Sequence, residues 1–140
     1  MPKKIYSKDG KTLLHIINRV EEIVSRQDII PENQFLQLAT LNLKKKKTFA
    51  AHKHIWKDPS GDQVIAQESW VVISGRVKCY FYDLDDSLLE TETLGPGDCS
   101  ITLQGGHNYE IMDDAIVYEY KTGPYLGQKF DKVFIWKNIW

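Results

Sequence analysis

From Asn33 onward the chain is a succession of short apolar runs broken by turn formers, and this pattern leaves few folds open. Residues 35–43, 48–54, 64–73, 76–83, 88–94, 98–103 and 116–121 are rich in Val, Ile, Tyr, Phe and Trp, side chains that pack well on a pleated sheet. Between them lie KDPSGD at 57–62, Ser74-Gly75, DLDDS at 83–87, GPGD at 95–98, Gly105-Gly106, MDD at 112–114 and TGP at 122–124. Many short strands punctuated by Gly and Asp predict a mainly β sandwich or barrel, not alternating β/α units. At 140 residues, the chain can bury one such core and not two.

Upstream the pattern differs. In residues 12–25 (TLLHIINRVEEIVS) Leu13, Ile16, Ile17, Val20, Ile23 and Val24 fall on one stripe, while Arg19, Glu21 and Glu22 point away. That spacing predicts one N-terminal α-helix, ended by Pro31 and laid against the outside of the β domain. Residues 1–34 are then a helical extension and 35–140 a single domain. A formal net charge of −1 argues against a nucleic-acid or membrane-surface protein. The polar residues 1–10 lack the apolar centre of a secretory signal, and no stretch nears the roughly 20 apolar residues of a membrane span. A cytoplasmic location is expected, with Cys79 and Cys99, both in strand-like runs, as buried reduced thiols.

The histidines carry the chemistry. His52 and His54 are one residue apart on an expected strand, so both rings project from the same face, close enough to share an ion. Glu68 opens the apolar run ESWVVISG after a connection of 13 residues, and a carboxylate there needs a partner or a metal. His107 follows the flexible Gly105-Gly106 pair and can reach the same centre. Three imidazoles and a carboxylate suit Zn, Fe(II), Mn, Ni or Cu, whereas Ca or Mg would call for more oxygen ligands. Each piece alone has a plainer reading: H-x-H as surface histidines, Glu68 as an edge residue. His15, on the polar side of the expected helix, is read as solvent-exposed.

These residues resemble the motifs of the cupin superfamily. The first motif, H-x-H then a glutamate, six residues and a glycine, is matched by His52-Lys53-His54, Glu68, SWVVIS and Gly75, with a lengthened loop between the histidines and Glu68. The second resembles Gly97-Asp98, CSITL and Gly105-Gly106-His107-Asn108; its usual proline is absent and the histidine arrives one residue early. The resemblance implies a jelly-roll β-barrel (double-stranded β-helix) with a divalent metal held by His52, His54, Glu68 and His107. More narrowly, AQESWVVISGRVKCYFYD, GPGDCSITLQGGHNYEI and VYEYKTGPYLGQKFDK resemble small cupins found with cell-surface polysaccharide biosynthesis genes. That likeness implies a sugar or nucleotide-sugar substrate.

Other residues are read against this frame. Lys44–Lys47 form either a solvated turn or a hold for an anionic group at the barrel mouth. Lys53, Gln67 and Gln104 flank the ligands and are candidate substrate contacts. Tyr109, Tyr118 and Glu119 are candidate catalytic residues; Tyr118 and Tyr120 share one strand face and Glu119 and Lys121 the other, so Glu119 becomes a base if its face points inward. The apolar tail VFIWKNIW suggests packing on the helix or on a second subunit, with a homodimer expected. Three functions stay open: a metal-dependent isomerase, epimerase or Fe(II) dioxygenase, a metal-free keto-sugar isomerase or epimerase using the histidines as acid and base, and a non-catalytic small-molecule binding module.

Overall fold

A computed structural model of the chain describes residues 1–57, 64–124 and 127–135. Among the described residues twelve strands run in order: β1 (Lys3–Tyr6), β2 (Leu13–Ile17), β3 (Gln27–Asp28), β4 (Leu36–Leu43), β5 (His52–His54), β6 (Trp56–Lys57), β7 (Val64–Ile65), β8 (Glu68–Tyr82), β9 (Leu88–Leu94), β10 (Cys99–Thr102), β11 (Gly106–Thr122) and β12 (Lys132–Phe134). A single helical turn, α1 (Gln128–Asp131), precedes β12. Among the described residues no helix is long and apolar enough to cross a membrane.

The expected N-terminal helix is absent. Leu13–Ile17 is strand β2, followed only by a 3-10 turn at Val20–Glu22. The reason is local. Asp9 accepts hydrogen bonds from the backbone N–H groups of Lys11 and Thr12 and from the Thr12 hydroxyl (2.8, 2.9 and 2.7 Å), which closes a turn and offers β1 as an antiparallel partner. The paired β-branched Ile16 and Ile17 take the strand readily. Ile23 and Ile29, both buried, then tie the segment down before β3 pairs with β4.

Two long strands organise the rest. β8 and β11 pair antiparallel along most of their length, and both fold over, so each serves two halves of one curled sheet. In one half β10, the start of β8, the end of β11, β4 and β3 lie side by side. In the other, β9, the end of β8, the start of β11, β5 and β12 do so. Ser74-Gly75 and residues 112–114, expected as connections, are instead the bend within these strands. Register slips opposite Gly75, between Ile111 and Ile116, and Gly75 has φ +83° with the Asp114 carbonyl where a Cβ would stand. Only glycine fits there.

Strand alternation then divides the interior. Near the bend Val72, Val77, Ile111, Ala115 and Val117 pack with Leu41 and Cys79 into an apolar core. Toward the open end the same inward faces carry Glu68, His107, Glu119 and Lys121. Cys79 is buried as expected, but Cys99 is exposed, because it lies on the outer face of edge strand β10, where Ser100 and Thr102 turn inward. His15 is exposed, on β2.

Candidate metal centre

β5 presents both of its histidines inward, leaving Lys53 on the outer face, where it pairs with Asp86 at 2.7 Å. β11 begins at Gly106 against β5, and register sets His107 directly opposite His52. A side chain at Gly106 would strike Ile135 and crowd the His52 carbonyl, so the glycine permits this approach. Glu68, at the head of β8, reaches across from the other half of the sheet. The potential ligand atoms of His52, His54, Glu68 and His107 all lie within 4.8 Å of one another, every one on a buried residue.

Each imidazole is aimed by its second nitrogen. His52 Nδ1 lies 3.0 Å from the Ala50 carbonyl, which only accepts, so Nδ1 holds the proton and the Nε2 lone pair faces inward. His107 Nδ1 sits 2.9 Å from Thr102 Oγ1 and 3.2 Å from the Tyr109 hydroxyl. His54 Nδ1 is 3.3 Å from Asp131 Oδ2. Carboxylate, hydroxyl or carbonyl partners behind each ring are the arrangement that orients metal-binding histidines.

The inward atoms fit a cation. His52 Nε2 and His107 Nε2 are 3.1 Å apart, His107 Nε2 is 3.2 Å from Glu68 Oε2, and His54 Nε2 is 3.4 Å from Glu68 Oε1. Metal–ligand bonds of about 2.1 Å set neighbouring ligand atoms roughly 3.0–3.4 Å apart. Both ring nitrogens of His54 are buried and lack an aligned hydrogen bond, although carboxylates lie within ion-pair distance of each. Burial, and then the charge of His107, push His52 down to about 3. Burial also lowers His107. Both rings are therefore neutral lone-pair donors near pH 7. For His54 burial opposes the charged form, but Asp131 and Glu68 outweigh it and raise the ring to about 9. Burial likewise acts to raise Glu68, yet the surrounding histidines hold it near 2, ionised.

Asp131, fully buried, also takes Lys57 Nζ at 3.1 Å and Lys121 Nζ at 3.4 Å. Sequence reasoning missed its role, because a one-turn helix rather than a periodic strand projects it inward. Lys57, buried at the end of β6, gave no signal either.

Beside the four ligands a cavity of about 330 Å³ opens between the sheet halves, walled by Trp70, Tyr109, Glu119 and Lys121. Trp70 and Tyr109 stack at 3.7 Å, and Trp70 Nε1 donates to Glu119 Oε2 at 3.0 Å. Arg26 lies 3.4 Å from Glu119 Oε1. Burial and the nearby Glu68 charge raise Glu119, against the pull of Arg26 and Lys121. Tyr109 is fully buried, its hydroxyl 3.5 Å from Glu68 Oε2, and burial lifts it well above the usual phenol range.

The other candidates lie elsewhere. Tyr118 points out of the sheet, its hydroxyl accepting from Asn18 Nδ2 at 3.3 Å, because it alternates with Glu119. Gln67 and Gln104 are exposed, and neither they nor Lys53 lines the cavity. Lys44–Lys47 form an exposed turn, with the Lys45 N–H donating to Asp114 Oδ1 at 2.8 Å. Most of KDPSGD, residue 125 and the tail from 136 fall outside the described residues.

No protein-family model and no curated protein matches the chain. Solved structures do match in fold. An uncharacterised protein with a double-stranded β-helix domain from Klebsiella pneumoniae superposes at TM-score 0.60, with 18% identity over 86% of this chain and 97% of its own. KdgF from a Halomonas species gives 0.55, with 14% identity over 74% and 81%. An oxalate decarboxylase from Bacillus subtilis gives 0.58, with 13% identity over 79% of this chain and 28% of that one. The fold is thus a double-stranded β-helix.

Proposed function

We propose that the chain is a metal-dependent enzyme acting on a small polar substrate, a sugar or sugar nucleotide, inside the barrel. The observation that carries this reading is the convergence of three buried imidazoles and one buried carboxylate on a single point, with each ring backed by a polar partner. His52, His54, Glu68 and His107 would hold a divalent ion such as Zn, Fe, Mn or Ni. Bound there, such an ion polarises a carbonyl as a Lewis acid. Glu119, on the cavity wall with a raised pKa, is placed to hold or return a proton. Tyr109 positions Glu68. The sugar reading rests on the resemblance of 66–83, 95–111 and 117–132 to polysaccharide-associated cupins. Two unpaired thiols suit a cytoplasmic setting, and exposed Leu14, Val20 and Val24 suit a dimer. Metal analysis of the purified protein is expected to find about one ion per chain, lost in His52→Ala; far less than one, unchanged by that substitution, overturns the reading.

A metal-free keto-sugar isomerase is the second reading, favoured by His54, which is protonated at neutral pH between Glu68 and Asp131 without an ion. Solvent deuterium entering a nucleotide-linked keto-deoxysugar in chelator-treated protein supports it, and complete dependence on added metal excludes it.

A further inference from the structure

Among the described residues, one cation lining the cavity has no carboxylate partner. Three buried carboxylates face the interior, and the exposed Asp28, paired with Arg26, and Glu32 also line the cavity. Glu68 is shared among the histidines, Asp131 is held by Lys57, Lys121 and His54, and Glu119 is held by Arg26 and Trp70. Lys132 is a fourth cation, after Arg26, Lys57 and Lys121. Register sets it directly opposite His54 on the neighbouring strand, so its side chain rises from the same inward face, and it lines the cavity. Among the described residues no carboxylate pairs with it. Its ammonium lies over the Phe134 ring, 6.0 Å from the centroid, a contact that does not cancel a charge. A divalent ion at the four ligands would add two positive charges on the same inward face as this ammonium, at a place where burial weakens solvent screening.

We propose that the cavity takes its ligand by an anionic oxygen group, a carboxylate or a phosphate, bound between the metal centre and the ammonium of Lys132. This rests on the metal reading above and narrows the substrate to a negatively charged small molecule. An anion there gives Lys132 the charge-assisted partner that no described residue supplies, and it faces the positive charge of a filled centre. The cavity volume of about 330 Å³ suits a ligand of six-carbon size. In a neutral-sugar site the same lysine would only weaken metal binding.

Calorimetric titration of Mn(II)-loaded protein with gluconate, glucose 1-phosphate and glucose tests the proposal. At least one anion is expected to bind about tenfold or more tighter than glucose, and the better of the two assigns the group as carboxylate or phosphate. Lys132→Met and Lys132→Gln should both erase the anion preference, while Lys132→Arg retains most of it. Titration with Mn(II) alone supplies an independent readout: Lys132→Met should bind at unchanged stoichiometry and severalfold more tightly, since a repelling charge is gone. Glucose binding as well as either anion, no anion binding at millimolar concentration, or an anion preference that survives in both Lys132→Met and Lys132→Gln overturns the proposal. Failure of the unsubstituted protein to bind Mn(II) is the separate failure of the metal reading. In that event a Lys132-dependent preference for anions in the metal-free protein still upholds the anion site, and its absence overturns that as well.

Discussion

Strands β8 and β11 build two interiors that differ only in which side chains alternation delivers. Near the bend the inward positions are Val72, Val77, Ile111, Ala115 and Val117; toward the open end they are Glu68, Trp70, His107, Glu119 and Lys121. The backbone is the same ladder throughout. At the bend the residues satisfy one another by contact alone, whereas at the open end every buried charge needs a named partner. The apolar half can therefore tolerate shape changes but no charge, and the polar half tolerates neither loss nor displacement of a partner.

The largest expected effect is a charge placed in the wrong half. Val117→Asp puts an unpaired carboxylate one inward position from Glu119 and should cost about 4 kcal/mol or more, leaving no cooperative thermal transition. Gly75→Ala attacks the bend that separates the halves. With φ +83° and the Asp114 carbonyl in the way, it should cost about 3 kcal/mol, read as a fall in the denaturant midpoint. A comparable loss from Gly97→Ala, where φ is +88° but nothing lies within 4 Å, would show that φ rather than the crossing carries the cost.

Asp131→Asn sharpens the polar side. It removes the carboxylate behind His54 and should weaken metal binding about 10- to 100-fold, measured by competition with a chromophoric chelator. Acidity supplies the next effect. His54 sits at about 9 against 6.5 for a free imidazole, so it is protonated in the metal-free protein and an incoming ion must displace that proton. Apparent metal affinity should rise about tenfold per pH unit toward pH 9 and level off above it. In the metal-free protein the stability contributed by His54 is fully present below 6.5 and lost as pH climbs through about 9. The smallest effect belongs to the outer face: Lys53→Ala breaks a half-exposed pair with Asp86 and should cost less than about 1 kcal/mol, with metal binding unchanged.

Legibility in the sequence follows the same division. Period-two alternation made the strands and the placement of His52 and His54 readable, and the glutamate-to-glycine spacing brought in Glu68. Glu119 and Lys121 were readable as sharing a face, though which face turned inward depended on tertiary pairing. The 12–25 stripe misled because Ile16, Ile17, Val20, Ile23 and Val24 satisfy a helical period while their β-branching and the Asp9-Gly10 turn favour a hairpin. Asp131, Lys57 and Lys132 were invisible for a different reason. Their roles arise from contacts between segments far apart in the chain, Lys132 opposite His54 and Lys57 against Asp131, and no local pattern encodes them.

The four ligands are unevenly shared between the sheet halves, His52, His54 and His107 on one and Glu68 alone on the other. A filled centre would work as a strain gauge for the sandwich. Any shear or breathing between the two halves lengthens the single crossing bond first, while three imidazoles ride together on neighbouring strands. Coordination number, followed spectroscopically during heating, should then drop by one before the β signal changes.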